Sequence, residues 1–222
     1  MIVSDTRNFV FIHNPKCAGT TVRKALKQFD TTNDTFWMFE EVDGRTIDKA
    51  HMRMSVLQSL YPEYFNRLSL HFVFMFVRNP YTRAVSAFAE ARSKGLPRAT
   101  RDQPVTDMDA YVEELNAFIA SLDPLLLDGW DLRYTHFARQ RDMAYLGAKC
   151  MVDCIMKVED IEASSRKLDV FDPDLRPLVL EAPRKNVRAI PLEARSLLSR
   201  SSIDWINEIY RDDFYLFDYE MW

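Results

Sequence analysis

The chain has 222 residues, 47% of them hydrophobic, and a formal net charge of −4. That apolar supply suffices for one substantial core, and the slight acidic excess argues against general nucleic-acid affinity while permitting a local basic pocket. No stretch approaches the roughly 18 apolar residues of a membrane span, and the N-terminal "MIVSDTRNFVFIH" lacks a basic region followed by a long apolar segment.

Cys17, Cys150 and Cys154 are an odd count without a disulfide framework, which favours a reducing compartment. The expectation is a soluble, cytoplasmic, single domain over residues 1–222. Cys150 and Cys154 are spaced to share a helix face, but two thiols without His or Cys partners make a poor zinc site.

In chain order, "NFVFIH" (8–13) reads as a buried strand. Val22, Ala25, Leu26 and Phe29 recur at helical spacing, placing a helix over about 20–29. "TFWMFE" (35–40) suggests a second strand, and Met52, Val56, Leu57 and Leu60 a helix ended by Pro62. "LHFVFMFVR" (70–78) is almost continuously apolar, as for a strand covered on both faces. Asn79 then caps and Pro80 starts a helix. Residues 94–106 are polar and basic, 107–122 helical and 123–150 ambiguous. "DCIMKV" (153–158) is a further strand with a helix from Glu159, and a C-terminal helix precedes an aromatic tail. Strand–loop–helix occurs twice with apolar strands, which predicts an α/β fold: one P-loop-like domain with a central, mainly parallel sheet flanked by helices.

The first strand–helix loop, "NPKCAGTT", carries the chemistry. Backbone N–H groups converge at the start of a helix, whose dipole favours an anion. Ala18 and Gly19 allow close approach, Thr20 and Thr21 bring hydroxyls, and Lys16 adds a full charge. The combination suits a phosphate.

Other readings stay open on these residues alone. A plain capped turn needs no ligand. A nucleotide-kinase P-loop would place its lysine after the glycine, whereas Lys16 precedes Gly19. Cys17 and Arg23 fit the C-x5-R loop of a cysteine phosphatase, in which the helix start would lower the thiol pKa.

The second loop, "FVRNPYTRAVSAF", sets Arg78 at a strand end and Ser86 two turns into the next helix. They can grip one phosphate from two sides, with Arg83 assisting. Two anion sites at two strand ends call for a ligand carrying phosphates at both ends.

At these residues the sequence resembles a known family. "IHNPKCAGTT" is similar to the 5′-phosphosulfate loop of sulfotransferases, and "FVRNPYTRAVSAF" to their 3′-phosphate segment, with Arg78 and Ser86 at matching positions. The closest resemblance is to the carbohydrate-type, family 2-like branch. "KAHMRMSVLQ", "THFARQ", "MKVEDI" and "YRDDFYLFDY" echo it in order along most of the chain.

The resemblance implies 3′-phosphoadenosine 5′-phosphosulfate (PAPS) as co-substrate. It also implies an acceptor hydroxyl, of a carbohydrate or small molecule. No metal and no nucleic acid are called for. Lys16 would neutralise charge on the bridging oxygen. Backbone N–H groups from Cys17 through Ala18, Gly19 and Thr20 to Thr21 would hold the 5′-phosphate. His51 matches the family's histidine and is the expected general base.

His13 reads as structural and His136 as a wall of the acceptor pocket, while Glu40 and Glu41 are alternative bases. Arg184, Lys185 and Asn186 would close over the 3′-phosphate. Arg92, Lys94, Arg98 and Arg101 suit a lid or an anionic acceptor, and Phe36 or Trp37 a stacking platform. The sequence sets no oligomeric state.

Overall fold

The two longest runs of buried apolar residues become neighbouring strands. In "FVFI" and "FVFMFV" successive side chains alternate between faces, so a sheet made from them needs cover on both sides. The computed structural model of the chain describes residues 1–95, 105–129, 132, 134–181 and 193–222. Its elements are β1 (Ile2–Ser4), β2 (Phe9–Ile12), α1 (Gly19–Leu26), β3 (Phe39–Val42), β4 (Arg45–Asp48), α2 (Met54–Leu60), α3 (Pro62–Arg67), β5 (Phe72–Val77), α4 (Pro80–Gly95), α5 (Met108–Ser121), α6 (Pro124–Leu127), α7 (Arg141–Ala144), β6 (Tyr145–Leu146), β7 (Lys149–Cys150), β8 (Cys154–Lys157), α8 (Ile161–Ser164), α9 (Leu175–Glu181), α10 (Ala194–Leu197), α11 (Arg200–Ile209) and α12 (Arg211–Leu216).

The central sheet has the order β1-β2-β5-β8. β2, β5 and β8 run parallel, with Ile12 beside Met75 and Met75 beside Ile155, whereas β1 is antiparallel to β2. Phe9, Phe11, Phe74, Phe76 and Met156 face one way, onto Val22 and Leu26 of α1 and Val179 of α9. Val10, Ile12, Val73, Met75 and Val77 face the other way, onto Met54 and Leu57 of α2 and Phe217. A further helical layer joins α4, α5 and α11 through Tyr81, Phe88, Tyr111, Leu115 and Ile206. The expected α/β architecture with a parallel-containing sheet is therefore what forms.

Several local expectations are corrected. Residues 35–40 are not one strand: Thr35–Trp37 is a 3-10 turn, and β3 pairs with β4 in a separate hairpin. The turn follows Asp34 at φ 60° and buries Phe36 edge-on against Tyr64. Phe36 is thus core, not a stacking platform. α2 begins at Met54, with His51 left in a 3-10 turn before it, and Pro62 starts α3 as well as ending α2. Cys150 and Cys154 share no helix, since they lie on β7 and β8. The helix after β8 starts at Ile161, where Asp160 caps it, and not at Glu159. The three-residue β1 carries too little pattern to be read in advance. Among the described residues no helix is long and apolar enough to cross a membrane.

Candidate active site

Parallel pairing of β2 with β5 puts their C-terminal ends side by side, and the two singled-out loops leave from those ends. Such carboxyl edges of open α/β sheets are where ligands bind. The first loop is held in an uncommon shape, with Lys16 at φ 62° and Ala18 at φ 59°, both left-handed. Two non-glycine residues there cost on the order of 1–3 kcal/mol each, and such strain gathers at ligand-binding turns.

Inside the loop the Cys17 and Thr21 N–H groups donate to the carbonyls of Asn14 and Ala18. The Gly19 and Thr20 N–H groups stand at the start of α1, where a helix has no internal acceptor for them. The cradle is therefore narrower than residues 17–21. Thr20 is exposed and Thr21 half-buried.

Gly19 has a second reason to be glycine. A Cβ there would sit 1.8 Å from His13 Cδ2 and 2.3 Å from its Nε2. The buried His13 ring lies flat between Phe11 and Trp37, with ring centroids 6.3 and 5.8 Å away.

Asn79 caps α4, its Oδ1 accepting from Tyr81 N (3.0 Å). Arg78 runs along α4 and donates from Nε to Thr82 Oγ1 (3.1 Å) and from Nη1 to the Lys16 carbonyl (3.4 Å). Thr82, Ser86 and Glu90 follow at four-residue spacing, so they share one helix face. Lys16 Nζ reaches that face, 3.5 Å from Glu90 Oε2. Sequence reasoning missed Thr82 and Glu90, although the i+4 ladder from Arg78 was there to be read. Arg83 does not assist: it is buried, donates to the carbonyls of His136 and Ala138, and lies over the Tyr210 ring.

Three histidines gather beside the first loop. The His13–His51 ring centroids are 4.5 Å apart and those of His51 and His136 5.2 Å. His51 Nδ1 lies 2.8 Å from Asp48 Oδ2. Burial tends to raise the Asp48 carboxyl, but the His51 hydrogen bond and charge hold it below the usual carboxylate range. Burial, then the neighbouring His51, depresses His13 well below an ordinary imidazole. Burial, His51, Lys94 and Lys16 bring His136 down to about 3. Both flanking rings are therefore neutral near pH 7.

Glu40 accepts from Lys49 and Tyr61, and the Lys49 bond acidifies it. Glu41 accepts from Thr46. A cleft opens against His51, lined also by Thr46, Asp48, Arg53, Leu132 and Thr135. Arg53 anchors its wall by donating to the Leu127, Asp128 and Gly129 carbonyls.

The alternative of a cysteine phosphatase fails on geometry. Cys17 is buried, its Sγ donates to Gln140 Oε1 (3.2 Å), and burial pushes the thiol up to about 12, opposite to an activated nucleophile. Arg23 turns away to pair with Asp34 at 2.6 Å and to cover Trp37. Arg92 pairs with Glu114 and Lys94 with Glu90. Arg98, Arg101, Arg184, Lys185 and Asn186 lie outside the described residues.

A family model described as the sulfotransferase family matches residues 1–220. Comparisons with curated proteins and with solved structures gave no match. The family match spans nearly the whole chain and includes both strand-end loops, so the chain belongs to the sulfotransferase family, in its family 2-like branch, and is a sulfotransferase.

Proposed function

We propose that the chain, as one domain over residues 1–222, moves the sulfuryl group of PAPS to an acceptor hydroxyl of a carbohydrate or small molecule. The observation that carries this reading is the contact between the loops. Arg78 Nη1 lies 3.4 Å from the Lys16 carbonyl, so one ligand can touch both.

The α1 start with Thr20, Thr21 and Lys16 holds the 5′-phosphosulfate end. Arg78 and Ser86, with Thr82 between them, hold the 3′-phosphate. The family resemblance assigns Arg184 and Lys185 to binding at that same end. The cleft beside His51 takes the acceptor.

In the reaction His51 takes the acceptor proton at Nε2, because Nδ1 faces Asp48. The acceptor oxygen bonds to sulfur, and the bond from sulfur to the 5′-phosphate oxygen breaks. Lys16 leaves Glu90 to neutralise the charge on that departing oxygen, and adenosine 3′,5′-bisphosphate is released. Preorganised donors of this kind each contribute roughly 10²–10³ in rate. No metal takes part in this scheme. Three free cysteines fit a reducing compartment, and we place the protein in the cytoplasm.

The test is a thermal-shift titration with adenosine 3′,5′-bisphosphate, ATP with magnesium, and inorganic phosphate, since a ligand of the folded state raises its stability with log concentration. A bisphosphate shift without metal that exceeds the other two supports the reading. A shift only with magnesium–ATP overturns it. Transfer of labelled sulfate from PAPS to candidate acceptors then identifies the acceptor class.

A further inference from the structure

One fully buried side chain touches both loops. Gln140, just before α7, is 0% exposed. Its Oε1 accepts from Asn14 Nδ2 (3.1 Å) and Cys17 Sγ (3.2 Å) in the first loop, and from Arg78 N (2.9 Å) in the second. Its Nε2 donates to the Arg78 carbonyl (2.8 Å). The backbone of Gln140 is fixed in turn, because its N–H and that of Arg141 donate to the two oxygens of buried Asp213 (3.0 and 2.8 Å). Asn14 Nδ2 adds a second tie, to the Phe76 carbonyl of β5 (2.9 Å).

Three donors converge on the one amide oxygen, more than its two lone pairs call for, and the amide nitrogen adds a fourth bond. They run to the two segments whose separation decides whether one ligand reaches both. The amide lies beneath the loops, bonded to the Arg78 backbone and leaving the guanidinium to Thr82 and the Lys16 carbonyl.

We propose that Gln140 is a positioning residue that sets the span between the 5′- and 3′-phosphate loops. On this view it confers the gain from binding both phosphates at once, and not the affinity of either loop alone. The inference rests on the donor reading above.

Two binding groups on one ligand reinforce each other only when the sites match the ligand's span; the second contact is then intramolecular and can add on the order of 10²-fold or more. If the amide is lost, each loop still holds an isolated phosphate, but the pair no longer keeps one spacing.

The experiment measures affinities of adenosine 3′,5′-bisphosphate, adenosine 5′-monophosphate and adenosine 3′-monophosphate by calorimetry, for the full chain and for Gln140→Met. Wild type should prefer the bisphosphate by on the order of 10²-fold over either monophosphate. Folded Gln140→Met should bind the monophosphates as wild type does and lose most of the preference, to within about tenfold. A variant that keeps the full preference overturns the inference. So does one that weakens all three ligands equally, which is the signature of general loosening. A wild type without preference overturns the donor reading itself and this inference with it. Should Gln140→Met fail to fold, Gln140→Asn carries the same comparison, since its amide is one methylene too short to serve both loops.

Discussion

Gly19→Ala separates steric packing from helix propensity. Replacing glycine by alanine within a helix ordinarily stabilises by up to about 1 kcal/mol. Here the new methyl carbon falls 1.8 Å from His13 Cδ2, where ordinary contact begins at 3.4 Å, so the ring has to retreat by about 1.6 Å. It has nowhere easy to go, with Phe11 and Trp37 on its faces and His51 at 4.5 Å. Overpacking of this kind costs about 1–3 kcal/mol. At about 2–4 °C per kcal/mol for a chain of this size, the melting temperature should fall by several degrees.

The displaced ring also pushes on His51. A misplacement of about 1 Å can cost on the order of 10² in rate, so kcat should fall with stability. Thermal melts together with a sulfate-transfer assay measure both. Adding His13→Ala should relieve the clash, leaving the two substitutions non-additive by about 1–3 kcal/mol. A Gly19→Ala protein that melts at or above wild type, with no coupling to His13, would show that the ring does not rest on this Cα.

Lys16→Ala should lower kcat by about 10²–10³ while shifting the melting temperature by no more than about 2 °C, whereas Cys17→Ser, which keeps a donor to Gln140 Oε1, should retain most transfer activity. Steady-state kinetics decide between this and the reverse order expected of a cysteine nucleophile. Asp48→Asn removes the carboxylate facing His51 Nδ1 and should reduce kcat by on the order of 10²-fold, with the acid limb of the pH–rate profile displaced; an unchanged profile removes Asp48 from the mechanism.

Acid should unfold the protein through its buried imidazoles. His136 titrates near pH 3 when folded and near 6.5 when unfolded, so the unfolded chain binds the extra proton between these values and stability is lost as pH falls through them. Asp213 works in the opposite sense. Burial, against the pull of Arg83, raises its carboxyl to about 6, so acidification from pH 6 towards 3.8 favours the folded state. Urea melts from pH 6.5 to 5 should therefore show a shallower slope in His136→Gln, by up to about 1.4 kcal/mol per pH unit. An unaltered slope refutes this assignment of the acid sensitivity.

Local pattern carried much of this site. "FVFI" and "FVFMFV" are unbroken apolar runs, so two buried parallel strands were readable, and Asn79-Pro80 announced the start of α4. The charged and hydroxyl residues of both loops follow directly in sequence, which is why Lys16, Arg78 and Ser86 could be singled out without coordinates. The hairpin formed by β3 and β4 was less legible. Phe36 and Phe39 read alike in a six-residue window, yet one is buried against Tyr64 and the other exposed.

What the sequence by itself determined is the pair of central strands β2 and β5 with the helices that follow them, and the chemical character of the two loops between, because both follow from short-range periodicity and from side chains adjacent along the chain. Only the tertiary structure decided that Cys17 is a buried donor and not a nucleophile, that Gly19 makes room for a histidine, and that Gln140 ties together loops beginning at Asn14 and Arg78. Those properties arise from how the folded chain brings side chains together, across 62 to 126 positions for Gln140 and across a loop turn for Gly19 and His13, and the spacing pattern of one segment does not say which group will remove its solvent or accept its proton.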